Sequence, residues 1–161
     1  MGDELVADFA LAAVREDGVW SVSPLPTAAA DDLDHLIQVL RQQPGDIGAI
    51  GLLSFAEDFF VVVRVSGDDV RLLLSDCTAA FDSAFAGQVL ERLGLPMPDG
   101  DEEDDIEPAG DLELLADLNV SALLMAELCD DLDLYPDDVF ARVAEHVGFA
   151  EQYDAAVTVV A

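Results

Sequence analysis

Three apolar segments follow one another between residues 47 and 75, with only short connections between them. They span Ile47–Phe55, Phe59–Ser66 and Val70–Ser75, separated by Ala56-Glu57-Asp58 and Gly67-Asp68-Asp69. Short segments rich in Val, Leu, Ile and Phe are typical of strands, and connections of this length join antiparallel neighbours. The first segment is apolar on both faces, which favours a central position in a sheet. The chain is therefore expected to contain an antiparallel sheet built around this run.

A β-hairpin is predicted ahead of these strands. Leu5–Val14 is apolar with little charge, and Asp17-Gly18 is a dipeptide that favours a type I′ turn. Val19–Ser23 then alternates apolar with polar residues, which is typical of a half-buried strand. We therefore expect Trp20 and Val22 to face inward.

Two helices are predicted on either side of the three strands. The first follows Asp31, a candidate cap, and ends at Pro44-Gly45. The second runs from about Ala79 to Leu93, where Gly94 and then Pro96 end it. Their apolar stripes are Leu33, Leu36, Ile37 and Leu40 in the first helix, and Phe81, Phe85, Val89 and Leu93 in the second.

The predicted fold class is α+β. Residues 1–94 are expected to form one domain, an antiparallel five-stranded sheet with two helices, in the order strand, strand, helix, strand, strand, strand, helix. Residues 95–110 contain three prolines, two glycines and seven acidic residues, so they are predicted to form a flexible acidic linker. Residues 111–161 are predicted to form a small helical unit, with a helix that starts at Pro136 and ends at Gly148.

The chain is strongly acidic, with 35 Asp and Glu against six basic residues, all of them Arg, and a net charge of −29. Such a surface repels phosphate, which disfavours direct binding to nucleic acid or to an anionic membrane. The longest uncharged apolar stretch is too short to span a bilayer, and the first residues lack the basic region of a signal peptide. A cytoplasmic protein is expected. The acidity is uneven, since residues 1–94 carry −11 and residues 95–161 carry −18.

The distinctive parts of the sequence are Asp58–Arg64, Asp69–Ala79, the acidic linker, Leu128–Asp138 with its Leu-Tyr-Pro-Asp segment, Gly148-Phe149 and Glu151–Asp154. These parts resemble the tRNA adenosine deaminase-associated proteins of actinobacteria, and the resemblance extends from about Phe9 to Val157. It implies an accessory role beside an enzyme that deaminates the wobble adenosine of tRNA. It brings no catalytic or binding residue with it.

The motifs of a zinc deaminase itself are absent from the sequence. Those enzymes need a His-x-Glu and a Pro-Cys-x-x-Cys to bind the metal and move protons. Neither His35 nor His146 is followed two residues later by Glu, and neither Cys77 nor Cys129 has a second cysteine at that spacing. We expect ordinary helix histidines, reduced and buried cysteines, no catalytic residue, no metal and no cofactor. The acidic residues between 130 and 138 are attributed to helix ends and a solvated loop.

Two groups of residues are candidates for binding a partner: an arginine pair and a run of acids. With Ser66–Asp69 as a four-residue hairpin loop, Arg64 and Arg71 are expected to lie opposite each other on the outward face of the sheet. Such a pair needs acidic partners, either carboxylates of this chain or a docking carboxylate from the linker or from another protein. The second element is the acidic run of the linker: Asp101, Glu102, Glu103, Asp104 and Asp105.

The sequence favours a non-enzymatic accessory or interaction protein associated with tRNA wobble-adenosine deamination. Its expected partner is the tRNA adenosine deaminase or another basic protein, because opposite charge speeds association and sets specificity. Two alternatives stay open. One is an enzyme of unknown reaction with a carboxylate-based site, and the other is a general acidic interaction module unrelated to tRNA.

Overall fold

The computed structural model of the protein describes residues 7–26, 31–43, 45, 48–55, 58–81, 83–96, 108–131 and 133–160. These residues form one antiparallel sheet with the strand order β2-β1-β3-β4-β5-β6. The strands are β1 (Ala7–Glu16), β2 (Val19–Pro24), β3 (Ala49–Phe55), β4 (Phe59–Ser66), β5 (Asp69–Leu74) and β6 (Ala109–Gly110). The α+β class and the antiparallel sheet are confirmed, but the predicted number of five strands is wrong because β6 adds a sixth.

Five α-helices accompany this sheet within the described residues. They are α1 (Leu33–Arg41), α2 (Ala84–Leu93), α3 (Ala122–Asp130), α4 (Pro136–Val147) and α5 (Ala150–Val160), with short 3-10 helices at Cys77–Phe81 and Ala116–Leu118. Over the same part of the chain, no helix combines the length and the apolar character that crossing a membrane requires.

The two tight hairpins follow from their turn residues. Asp17 and Gly18 have φ angles of 53° and 80°, as a type I′ turn requires, and they join Glu16 to its partner Val19. In the second hairpin Ser66 pairs with Asp69, so the loop has two residues and not the predicted four. The predicted pairing of Arg64 with Arg71 is nevertheless confirmed, because both loop lengths place the same residues opposite each other.

Helices α1 and α2 cover the first face of the sheet. The predicted stripe of α1 is confirmed, since all four of its apolar residues are buried. Helix α2 starts later than predicted because the Ser83 hydroxyl accepts a hydrogen bond from the Ala86 amide at 3.2 Å and caps it. Phe81 therefore lies in the preceding 3-10 helix and is 48% exposed, which corrects its predicted place in the buried stripe.

The second face of the sheet is covered by residues 111–131 and 133–160, which we call the C-terminal layer. Its core centres on Phe140, whose ring lies 5.3 Å from Phe60 and 6.2 Å from Phe9, measured between centroids. Trp20 packs on Phe149 at 5.0 Å, and Trp20 and Val22 both belong to this core, as predicted for the hairpin. The division into a domain of residues 1–94, a linker of residues 95–110 and a unit of residues 111–161 stays a prediction.

Strand β6 leads the chain into the C-terminal layer. It pairs with Leu73 and Leu74 of β5, and the amide of Asp111 donates to the Leu72 carbonyl at 2.8 Å. Gly110 has a φ of 117°, and a Cβ at this position would meet the Leu72 oxygen at 2.2 Å. This close approach requires glycine. It brings the following residues directly over Arg64 and Arg71.

Candidate functional site

Arg64 is anchored within the protein by Asp117. Its Nη1 and Nη2 atoms donate to the two carboxylate oxygens of Asp117 at 2.5 and 2.9 Å, which makes the contact bidentate. Nη1 also donates to the Leu114 carbonyl at 2.8 Å. Arg64 is only 8% exposed. The prediction that it lies on an outward face is therefore wrong, because residues 114–117 cover this part of the sheet.

Arg71 lies beside this pair and is more open to solvent. Its Nε is 3.3 Å from an Asp111 oxygen and 3.9 Å from an Asp69 oxygen, and 43% of its side chain is exposed. The two arginines border an open depression of about 410 Å³ lined by Arg64, Ser66, Asp69, Arg71, Glu113, Ala116 and Asp117. Carboxylates of the chain itself thus neutralise the like-charged pair.

The contact with Arg64 changes the acidity of its partner. The hydrogen bond from Arg64 holds the pKa of Asp117 below its ordinary value, and the positive charges of Arg64 and Arg71 act in the same direction. Partial burial opposes this effect. Asp117 is therefore ionised throughout the physiological pH range, which favours a persistent ion pair between the sheet and the C-terminal layer.

The two histidines and two cysteines belong to four different elements of the fold. His35 is exposed on α1, and His146 is on α4, where its Nδ1 lies 2.9 Å from the Arg142 carbonyl oxygen. Cys129 is buried on α3, whereas Cys77 is half-buried in a 3-10 helix, so the prediction of full burial holds for Cys129 alone. Among the residues that the structure describes, no three His, Cys, Asp or Glu side chains are grouped to hold a metal ion.

The outside of the C-terminal layer carries a large uncompensated negative charge. We use the name acidic surface for nine exposed carboxylate residues of α3, α4, α5 and the connection between α3 and α4: Glu127, Asp130, Asp131, Asp133, Asp137, Asp138, Glu145, Glu151 and Asp154. The ion pairs seen in the described parts of the chain involve none of them. Arg142 is the single arginine of this layer. The acidic surface is therefore a strong local source of negative potential.

Local hydrogen bonds explain the acids at the α3–α4 connection. Asp131 accepts a hydrogen bond from the Asp133 amide at 3.0 Å, and Asp138 accepts one from the Tyr135 amide at 3.1 Å. These bonds satisfy backbone donors at a turn and at a helix N-terminus, as the sequence predicts. The acidic run Asp101–Asp105, the other candidate partner-binding element, lies outside the described residues.

A family model described as "Rv3753c-like tRNA adenosine deaminase-associated protein" matches residues 8–150 of the chain. The chain belongs to this family. The resemblance found in the sequence is thereby confirmed. A relative in the same family, Protein Rv3753c of Mycobacterium tuberculosis (strain ATCC 25618 / H37Rv), is 38% identical over 150 residues. The match covers 92% of this chain and 87% of the relative. No solved structure matches the chain.

The family is described as associated with a deaminase and not as a deaminase. The sequence predicts an interaction at the linker and the arginine pair, and it does not show that the acids of α3, α4 and α5 are exposed and outside the ion pairs of the fold. The available signal is the net charge of −18 on residues 95–161, and more than half of this charge comes from residues after the linker. Distinguishing exposed acids from paired ones required the packing of α3, α4 and α5 on the sheet.

Proposed function

We propose that this protein is a non-enzymatic accessory factor that binds the tRNA adenosine deaminase in the cytoplasm. The match to a deaminase-associated family over residues 8–150 carries this proposal. An enzyme that acts on tRNA must attract phosphate, so it presents a cationic surface. The acidic surface of this chain is complementary to such a surface, and complementary charge speeds encounter between proteins and suppresses wrong partners.

The same charge argues against a direct contact with tRNA. The nine carboxylates of the acidic surface face solvent with Arg142 as the only arginine in their layer. Phosphate neutralisation by Lys and Arg supplies most non-specific affinity for nucleic acid, and this chain has no Lys. Other basic proteins meet the same electrostatic requirement, but the family description favours the deaminase.

The test is the rate and strength of binding between the purified protein and the deaminase from the same organism. We expect binding that weakens as salt rises from about 50 to 300 mM, since screening shortens the range of the attraction. The triple variant Glu127→Gln, Asp130→Asn and Glu151→Gln reduces the acidic surface and should slow association severalfold. The matched control, Glu16→Gln with Asp31→Asn and Asp68→Asn, removes three exposed acids outside the C-terminal layer and should have a smaller effect. Equal rates for the two triple variants, or no binding at about 50 mM salt, would contradict the proposal.

The acidic run of the linker is a second, separable contribution to the encounter. Replacement of Asp101, Glu102, Glu103, Asp104 and Asp105 by Ser and Gly should slow association more than it speeds dissociation, because charges at the rim of an interface act mainly on encounter. Stopped-flow association and dissociation rates separate these effects. A variant that associates as fast as the original protein would remove the linker from the proposed interface.

A further inference from the structure

A groove of about 190 Å³ lies between one end of the sheet and the connection from α3 to α4. Phe60 and Ser75 border it from the sheet, while Leu128 and Val139 border it from α3 and α4. All four are buried, with at most 6% of each residue exposed. Tyr135 also lines the groove, and it is 58% exposed. The groove therefore has buried walls that combine apolar and polar side chains, and an exposed tyrosine is among its lining residues.

The size of the groove limits what it can receive. Sites for small molecules usually measure about 300–1,000 Å³. At about 190 Å³ this groove is smaller, and the space fits a single long side chain better than a nucleoside or a comparable ligand. Its position beside the acidic surface, which includes Asp131, makes a side chain of a docked protein the natural occupant.

The charge of the groove selects a cation. Asp58, Asp76 and Asp131 line it, and none of the described residues that line it is basic. Asp76 accepts hydrogen bonds from the Thr78 amide and hydroxyl at 2.9 and 2.6 Å, and Asp131 accepts the bond from the Asp133 amide. These contacts fix both carboxylates in place before any partner arrives. An ionised carboxylate has about four acceptor sites, so each retains capacity for a further donor.

The cysteine in the groove wall does not give it covalent chemistry. Burial raises the pKa of the Cys129 thiol to about 12, and the charge of Asp130 adds to this rise. The thiol is therefore protonated at physiological pH, and a protonated thiol is neither a good nucleophile nor a metal ligand. The groove is therefore suited to non-covalent binding of a ligand or side chain.

We propose that this groove receives an arginine side chain from the partner protein. The apolar side chains in the groove wall suit the methylene stem, the exposed Tyr135 suits stacking of a guanidinium, and Asp76 and Asp131 suit its N–H donors. Arginine is favoured over lysine because only the planar guanidinium stacks and binds carboxylates in a bidentate way. The identity of the partner as the deaminase rests on the proposed function, whereas the occupancy by arginine does not.

The groove is tested first without the partner. N-acetyl-arginine methylamide is titrated into the full-length, isotope-labelled protein, and amide chemical shifts are followed by NMR. Saturable shifts are expected at Ser75, Asp131 and Tyr135, with the lysine analogue binding more weakly and the neutral citrulline analogue not binding. Shifts spread evenly over all exposed acids, or equal binding of the citrulline analogue, would overturn the inference.

Variants separate the ring from the charge. Tyr135→Leu keeps an apolar side chain but removes the stacking surface, and we expect it to weaken arginine binding about threefold, as an exposed cation–π contact implies. Tyr135→Phe keeps the ring and should bind as the original does. Asp131→Asn should weaken binding about threefold, whereas the matched change Asp68→Asn, at an exposed acid outside both the groove and the acidic surface, should leave it within experimental error. Equal effects of Asp131→Asn and Asp68→Asn would overturn the inference.

The same variants in the deaminase binding assay keep the two proposals distinct. If the deaminase binds and the Tyr135→Leu protein loses affinity while Tyr135→Phe does not, both proposals hold. If the deaminase binds every variant equally, the groove is not its docking point and the inference about a partner arginine is wrong, while the proposed function stands. If the deaminase does not bind at all, the proposed function fails, and the titration with the arginine analogue still decides whether the groove recognises a guanidinium.

Discussion

The two faces of the sheet are covered by helices in different ways. On the first face α1 and α2 come from within the run of strands and pack on the sheet through an apolar core, and Arg41 of α1 also donates a hydrogen bond to the Gly67 carbonyl at the β4–β5 turn. On the second face α3, α4 and α5 follow all six strands and combine an aromatic core around Phe140 with the ion pair between Arg64 and Asp117. Both faces bury apolar residues fully, and the second also carries the acidic surface on its outside, whose nine carboxylates take part in none of the ion pairs of the described residues.

This difference lies on the outside of the molecule, because the cores under both helical layers are apolar. The interior of the C-terminal layer is apolar like that under α1 and α2, and two of the nine acids on its outside, Asp131 and Asp138, accept local backbone hydrogen bonds. Self-repulsion among nearby carboxylates costs some stability. The ion pairs of the described residues include none of these nine acids, so their charge is available to an external cation, which is the physical argument for proposing the acidic surface as a docking site.

The largest expected effect concerns the cores of the two faces. Phe140→Ala and Phe85→Ala, one on each face, should each lower the free energy of unfolding by about 3–5 kcal/mol, because both rings are buried among other rings. Phe81→Ala is the control and should cost much less, since Phe81 is 48% exposed. Urea unfolding followed by circular dichroism measures all three. A single transition in each variant means that the two layers unfold together, whereas a separate early loss of helix in Phe140→Ala would show that the C-terminal layer is an independent unit.

A smaller effect is expected at the link between the sheet and the C-terminal layer. Asp117→Ala leaves the guanidinium of Arg64 buried without its carboxylate partner and should cost about 1–2 kcal/mol, less than a fully buried pair because 58% of the Asp117 side chain is exposed. Asp69→Ala removes a more exposed acid, 3.9 Å from Arg71, and should change stability by no more than about 0.5 kcal/mol. Equal losses of unfolding free energy in the two variants would show that the bidentate contact between Arg64 and Asp117 does not stabilise the fold.

The lowered pKa of Asp117 gives this link a pH dependence. The folded protein holds this carboxyl below its unfolded value of about 3.9, so its contribution is complete above that value and is lost as the pH falls through the folded pKa. The difference in stability between the original protein and Asp117→Asn should therefore be constant above about pH 5 and should shrink below about pH 4. Urea midpoints measured from pH 7 to pH 3 test this. A difference that grows on acidification would have the wrong sign.

The smallest expected effect concerns the electrostatic field around the helices on the two faces of the sheet. Glu91 of α2 and Glu145 of α4 are both exposed and both lie two residues before the end of their helix. A change to Lys at either position gains the same favourable interaction with the helix dipole, about 0.5 kcal/mol. Glu145→Lys should gain a few tenths of a kcal/mol more, because the acidic surface has nine carboxylates beside Arg142 alone, whereas Asp34 near Glu91 is paired with Arg92. The excess should disappear near 1 M salt. Identical gains at low salt would mean that the acidic surface creates no special field.

Local patterns in the sequence predict much of this fold. The helical spacing from Leu33 to Leu40 identifies the buried side of α1, and Asp17-Gly18 identifies the turn between β1 and β2. Both signals depend only on neighbouring residues. Strand β6 cannot be predicted from patterns among neighbouring residues. It has two residues, follows a Pro-rich acidic stretch, and exists through pairing with Leu73 and Leu74, far away in sequence.

The site is predictable only in part, for the same reason. The pairing of Arg64 with Arg71 follows from the hairpin, but the cover over Arg64 comes from residues some fifty positions later. Sequence reasoning therefore placed Arg64 on an open face. The groove likewise joins Asp58, Ser75 and Tyr135 from three parts of the chain, and no local sequence pattern predicts that they lie close together.

The most direct test of the account is a hydrogen-exchange footprint of the deaminase on the full-length protein at low salt. With the deaminase in excess, we predict slower exchange at the α3–α4 connection, around Asp131 and Tyr135, and unchanged exchange in α1 and α2. Raising the salt to about 300 mM should reduce the protection as the complex dissociates. Protection centred on α1 and α2, or no protection anywhere despite saturating deaminase, would contradict the claim that the acidic covering of the second face is the docking surface.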